Sequence, residues 1–184
     1  MRVFIAVEIE DPDVLNKLIS IKREVESCGG RAIKPVEDEN IHLTIRFIGE
    51  VHETYLPRIH ECMDMMRTVK HFSMKIAGIG AFPSPARPRV IWAGVVDGIR
   101  ELKELRAIAD RCLRGIAQPD RHGFSPHITL ARVKGRVGPC IRDIIERHTD
   151  TIIGETPVTK VVLKQSRLTP KGPIYTDLYI VNLE

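Results

Sequence analysis

Residues 125–132 read SPHITLAR, Ser125 to Arg132, and residues 40–49 read NIHLTIRFIG. Both contain the same four-residue pattern of histidine, apolar, threonine, apolar: His127-Ile128-Thr129-Leu130 and His42-Leu43-Thr44-Ile45. The surrounding residues are those of a buried strand, so the polar members need a reason. On a strand, successive side chains point to opposite faces. Leu43 with Ile45, and Ile128 with Leu130, can each anchor a strand in a core. His42 with Thr44, and His127 with Thr129, then stand on the other face. Two such strands across a cleft bring two imidazoles and two hydroxyls to one place.

Working outward, Met1 to Ile9 alternates and is rich in β-branched residues, which predicts a strand. Asp11-Pro12-Asp13 is a helix start, and Val14, Leu15, Leu18, Ile19, Ile21 and Val25 form a stripe that stops at Gly29-Gly30. A second helix is expected from Tyr55 to Val69 and a third from Gly98 to Arg114, with a shorter one around Ile141 to His148. Phe72 to Ile79 and Arg89 to Val95 read as strands separated by a loop, GAFPSPARP. Two long alternating runs, Thr156–Leu168 and Ile174–Leu183, close the chain, joined by a turn at Thr169-Pro170-Lys171-Gly172. Helices and strands interleave, but hairpins and long alternating strands argue against a parallel sheet. The expected fold is α+β (α/β mixed), with mainly antiparallel sheet.

At 184 residues the chain is expected to form one domain, spanning 1–184 and made of two similar lobes. With 28 basic against 24 acidic residues the formal charge is +4, a mild bias compatible with anionic partners. The N-terminal apolar run is too short for a signal peptide, and no uncharged stretch is long enough to span a membrane. Cys28, Cys62, Cys112 and Cys140 are scattered, without a C-x-x-C pair or metal-ligand spacing. These features predict reduced thiols and a cytoplasmic protein with no membrane contact and no obligate protein partner.

The motif chemistry suits a phosphoester. A neutral imidazole can take a proton from an attacking hydroxyl or water while a protonated one gives a proton to the leaving oxygen. Threonine hydroxyls are short, stiff donors for non-bridging phosphate oxygens. Developing charge calls for a fixed cation, and Arg132 follows His127 by five positions. An odd offset faces the wrong way on an ideal strand, so Arg132 reaches the cleft only through a bulge or twist. Arg46, four positions after His42, is on the cleft face by parity, where it lines the cleft or forms a salt bridge. Two zinc-binding histidines are the rival reading, but neither copy has a further ligand at close spacing, so no metal and no cofactor are expected. Arg87 and Arg89 are expected either to steer phosphates or to form a solvated basic loop. Phe82, Trp92 and Phe124 are read as core packing before base stacking. His52, His60, His71, His122 and His148 have no paired context and are read as surface or structural.

The paired HLTI and HITL resemble the two-histidine phosphoesterases, and the resemblance runs nearly end to end. RVFIAVEI, NIHLTIRFIG, FPSPARPRVIWAGV, FSPHITLAR and SRLTPKGPIY are similar to the 2′-5′ RNA ligase branch, whose members are described as RNA 2′,3′-cyclic phosphodiesterases. The histidine motif marks the superfamily, and FPSP…RP…W with SRLTPKGP point to this branch. The resemblance implies a bilobal, pseudo-twofold structure around a central cleft. It implies His42 and His127 as catalytic residues, and Thr44, Thr129 and Arg132 as phosphate ligands. It implies metal-free opening of an RNA 2′,3′-cyclic phosphate to a 2′-phosphate. Substrates would be RNA ends, tRNA fragments among them, or nucleoside 2′,3′-cyclic phosphates. It also gives the acid role to His42, whereas the residues by themselves leave open which histidine is acid and which base.

Two alternatives stand beside hydrolysis. A nucleotide- or RNA-binding protein could keep the cleft and turn over little, but binding requires cations and has no need of two positioned imidazoles. Ligation, with a 5′-hydroxyl in place of water to give a 2′-5′ junction, is the other physiological reading.

Overall fold

The structure is a computed structural model describing all residues, Met1 to Glu184. Nine strands and four α-helices follow one another as β1 (Arg2–Glu8), α1 (Pro12–Gly29), β2 (Ile33–Pro35), β3 (His42–Glu50), α2 (Leu56–Asp64), β4 (Phe72–Ser84), β5 (Arg87–Asp97), α3 (Ile99–Cys112), β6 (His127–Val133), α4 (Pro139–Arg147), β7 (Ile152–Val158), β8 (Lys160–Thr169) and β9 (Gly172–Asn182). All strands join one sheet in the order β7-β4-β5-β6-β3-β1-β8-β9, with β2 paired to β6, and every pairing is antiparallel. The fold is mixed α+β, as the alternating runs and the turn at Thr169–Gly172 predict.

Local chemistry sets the elements that frame the cleft. Asp11 caps α1, its side chain accepting from the backbone N–H groups of Asp13 and Val14 at 2.9 and 3.0 Å. Gly30, with φ of 53°, ends that helix in a conformation that costs glycine little. α1 packs on β2, β6 and β7, and α3 on β3 and β5. The apolar halves of both motifs, Leu43, Ile45, Ile128 and Leu130, are fully buried in one continuous core. Removing the largest of these would cost about 2–5 kcal/mol each, so the histidine strands are held by their own apolar residues.

Three segments differ from expectation. GAFPSPARP is not a loop: most of it lies in β4 and β5, which form one hairpin turning at Pro85-Ala86. Pro83 and Pro88 face each other beside a register shift, where a missing ladder N–H is tolerated. The run 156–168 is divided at Thr159, whose N–H is taken by a Glu10 carboxylate oxygen at 2.7 Å. The preceding part, β7, pairs with β4 at one edge of the sheet, and β8 runs between β1 and β9 near the other edge. α2 stops at Asp64 and tightens into a 3₁₀ turn over Met65–Thr68.

The cysteines are also corrected. Cys28 and Cys140 pair between α1 and α4, and Cys62 and Cys112 between α2 and α3, with Cα–Cα distances of 6.1 and 5.5 Å. Each disulfide ties one helix pair. The sequence separations of 112 and 50 residues hid this, since only helix packing brings the partners together. Paired cysteines stand where reduced thiols were expected, so the cysteines give no support to a reducing compartment. No helix is long and apolar enough to cross a membrane.

Candidate active site

β3 and β6 meet at one backbone pairing, Leu43 with Ile128, the apolar centre of each motif. Because the strands are antiparallel, each histidine comes abreast of the other motif's threonine. Beyond this point the strands part, and the opening between them is a cleft of about 360 Å³. His42, Thr44, His127, Thr129 and Arg132 all line it. The predicted site residues are brought together.

Both imidazoles are oriented by the same device. His42 Nδ1 lies 2.6 Å from the Asn40 carbonyl oxygen and His127 Nδ1 lies 2.7 Å from that of Ser125, each two residues upstream. A carbonyl only accepts, so Nδ1–H donates in both and Nε2 is left for the cleft. In His42 that atom is 2.8 Å from Thr44 Oγ1. The rings are also held by aromatic neighbours: Phe4 at 5.0 Å and Tyr175 at 5.5 Å from His42, and Phe82 at 5.2 Å from His127.

Their surroundings differ. Burial holds the His42 imidazole below its ordinary value, and the positive charges of Lys164 and His127 push the same way, against the Asn40 hydrogen bond and Glu8. Glu8 is the register partner of His42 on β1. Lys164 is buried nearby with its Nζ on Glu8 at 2.9 Å and Asp177 at 2.7 Å. This lowering favours the neutral form of His42 in the free protein.

The parity problem at Arg132 is resolved by a bulge. Opposite β5, Trp92 pairs with Thr129 and Ile91 with Ala131, leaving Leu130 as an extra residue. Alternation restarts one position later, and Arg132 turns into the cleft. The same irregularity occurs in β3. Ala6 pairs with Thr44 and Ile5 with Arg46, so Ile45 is the extra residue. There the bulge turns Arg46 off the cleft face that parity gave it, and of its two expected roles, cleft lining and a salt bridge, the salt bridge is the one found. It turns to the helix side, donating from Nε to Asp110 at 2.8 Å, and also bonds the carbonyls of Phe47 and Gln118. Arg106 shares Asp110 and reaches Asp120, so two buried arginines and two exposed carboxylates tie α3 and the segment that follows it to β3.

Several cleft residues escaped the sequence reading. Tyr175, Phe4, Lys34, Asn40, Arg2, Phe47 and Lys134 all line the cleft. The signal for Phe47 was present, for it follows His42 by the offset that separates Arg132 from His127. Of the aromatics considered earlier, Phe124 packs against the Arg106 guanidinium, and Trp92 lies against Phe82 and over Gly80. Phe82 is partly exposed beside His127. Arg87 and Arg89 are exposed at the β4–β5 hairpin tip and do not line the cleft. His148 bonds Glu24 and His60 stacks on Tyr179, both structural roles as read from sequence.

This duplicated arrangement has known counterparts. The family model described as LigT like phosphoesterase matches twice, over residues 7–92 and 94–175, and each match contains one of the two motifs. An Archaeoglobus fulgidus protein named RNA 2′,3′-cyclic phosphodiesterase is 39% identical over 98% of this chain and 99% of its own. One of the same name from Aeropyrum pernix is 44% identical over 83% of this chain and 87% of its own. Among solved structures, a Thermus thermophilus protein superposes with a TM-score of 0.81 at 32% identity, covering 100% of this chain and 98% of that one. E. coli LigT, crystallised with 3′-AMP, shares the fold with a TM-score of 0.79 at 23% identity, over 99% and 97% of the two chains. By the doubled motif, the family match over both halves and the end-to-end relatives, this chain belongs to the LigT-like phosphoesterases, a family of hydrolases.

Proposed function

We propose that this hydrolase opens the 2′,3′-cyclic phosphate at RNA ends, or on a nucleoside, to a 2′-phosphate, using His42 and His127 as the acid–base pair and no metal. One observation carries the reading: two imidazoles, each pinned through Nδ1 to a backbone carbonyl, face one cleft with Nε2 on the cleft side, that of His42 beside the Thr44 hydroxyl. In-line displacement at phosphorus requires a base beside the water and an acid beside the leaving oxygen, on opposite sides. Thr44 and Thr129 hold the non-bridging oxygens, and Arg132 offsets the charge that builds on them. The relatives of the same length named RNA 2′,3′-cyclic phosphodiesterase support this substrate class. A binding protein of low turnover fits less well, because the twofold device that fixes the imidazole tautomers serves proton transfer and adds nothing to phosphate binding.

The direct test is product analysis of a nucleoside 2′,3′-cyclic phosphate against 2′- and 3′-monophosphate standards, with and without EDTA. The expected product is the 2′-phosphate, at a rate indifferent to the chelator. A 3′-phosphate would reverse the bond assignment, and zinc-restorable loss in EDTA would remove the metal-free mechanism. Adding an RNA with a 5′-hydroxyl to the same assay tests ligation, which a 2′-5′ junction would reveal.

The acid and base roles are read from pH. With both histidines present the rate is bell-shaped, since one imidazole must be neutral and one charged. In His127→Ala the surviving limb belongs to His42 and lies below pH ~6.5, because its pKa is lowered. Residual activity that falls as pH drops through this limb makes His42 the base. Activity that falls as pH rises through it makes His42 the acid, as the family resemblance implies. A rate that is flat between about pH 5 and 9 removes the paired imidazoles altogether.

A further inference from the structure

β3 and β6 are alike through their bulges and differ in the side chain that each bulge turns into the cleft. β6 presents Arg132 and β3 presents Phe47. Phe47 has 44% of its surface in water, although the apolar residues around it on β3 are buried. The Arg2 guanidinium, from neighbouring β1, lies over its ring with the central carbon 4.9 Å from the ring centroid. Five strand positions separate Phe47 from His42, roughly 15 Å of strand. That places the Phe47–Arg2 pair toward the Glu50 end of β3, on the opposite side of the two histidines from Arg132 and its partner Lys34, because β3 and β6 are antiparallel.

The cleft lining carries more positive than negative charge, with Glu37 its one carboxylate. Arg2, Lys34, Arg132 and Lys134 line the cleft, and none of them forms an ion pair. Lys34 on β2 is the register partner of Arg132 on β6, so two cations stand side by side on one wall. Unpaired cations usually find carboxylates on the same surface, and the buried arginines here do. An arginine laid over an exposed aromatic, in a cleft with an excess of unpaired cations, suits a ligand with repeated anions and flat rings. Single-stranded nucleic acid has that chemistry, and stacking on aromatic side chains and arginine planes is how its splayed bases are held.

We propose that Phe47, with Arg2 laid over it, is a stacking subsite for the penultimate base of an RNA whose terminal cyclic phosphate lies between His42 and His127. This rests on the cyclic phosphodiesterase reading and extends it, because it makes the protein a reader of chain ends and not of free nucleotides. Stacking is tolerant of base identity, so the subsite measures the presence of a neighbour and not its sequence.

The test compares kcat/KM for a nucleoside 2′,3′-cyclic phosphate with that for a dinucleotide ending in the same cyclic phosphate. Wild type, Phe47→Leu, Phe47→Trp and Arg2→Gln are measured on both. Wild type prefers the dinucleotide. Phe47→Leu loses about 5- to 100-fold on it, the range of base–aromatic stacking, and Phe47→Trp restores it. Arg2→Gln weakens the dinucleotide in the same direction, and the mononucleotide is unchanged in all three variants. Equal losses on both substrates, or no loss on either, overturns the subsite. So does a change of oligomeric state in Phe47→Leu without selective loss, which marks the patch as a protein contact. If wild type turns over neither substrate, the phosphodiesterase reading fails separately. Fluorescence anisotropy with an oligonucleotide ending in a 2′-phosphate still decides the subsite: weaker binding by Phe47→Leu and by Arg2→Gln supports it, and unchanged binding rejects it.

Discussion

Replacing His42 with alanine lowers hydrolysis of a nucleoside 2′,3′-cyclic phosphate by about 10²-fold or more, and replacing His127 does the same, the scale on which general acid–base groups contribute. The double variant is little worse than either single one, because the two imidazoles act on one transition state and their effects do not add. Glutamine at either position separates proton transfer from hydrogen bonding, since its amide can reach a phosphate oxygen but cannot relay a proton. It should be as inactive as alanine. The structural risk is uneven. His42 lies between Phe4 and Tyr175, so its removal leaves a gap in a packed aromatic group, whereas His127 is more open and flanked by Phe82. Thermal melting of each variant guards against reading instability as chemistry. A folded single variant that retains more than about a tenth of wild-type activity would sink the paired-histidine mechanism.

How much of this was legible in the sequence depends on which interaction fixes each feature. The motif strands, α1 with its Asp11 cap and the hairpin turn at Thr169–Gly172 are set by local alternation, capping and turn residues, and all were read in advance. The cleft set could be assembled because each motif carries both its anchor and its functional face within four residues. What escaped depends on pairing at a distance. The bulges at Ile45 and Leu130 exist because neighbouring strands β1 and β5 fix the register, and no residue type within β3 or β6 announces them. Arg46 and Arg132 illustrate the result: parity put the first in the cleft and the second outside it, and one extra residue in each strand exchanged their places. The disulfides, the division of 156–168 and the cations of Arg2 and Lys34 likewise depend on tertiary neighbours. Tyr175 sat in a stretch quoted for the family resemblance, but its place beside His42 comes from the order in which β1, β8 and β9 stack next to β3.

Arg132 bears the second large effect. With the guanidinium removed in Arg132→Ala, hydrolysis falls by about 10²- to 10³-fold, the usual loss when a fixed donor to a developing oxyanion is deleted. The argument is geometric. The Leu130 bulge places Arg132 in the same cleft as Thr129 and both histidines, with no carboxylate paired to it, so its charge is available to a phosphate. A guanidinium in that position meets the phosphoryl oxygens of every substrate alike. The loss is therefore similar for the adenosine, guanosine, cytidine and uridine cyclic phosphates, and falls on kcat more than on KM if the contact strengthens as charge develops. Arg132→Lys recovers part of the rate, because a point charge survives while the two-pronged geometry is lost. Tyr175 provides an internal check. Burial raises its hydroxyl above the ordinary phenol value, with the Arg132 charge among those acting against that rise. Loss of Arg132 should therefore move the Tyr175 titration further up even without substrate, a shift visible in the ultraviolet difference spectrum at alkaline pH. A rate loss confined to one base would make Arg132 a base reader, and an unchanged rate would leave the bulge with no part in the chemistry.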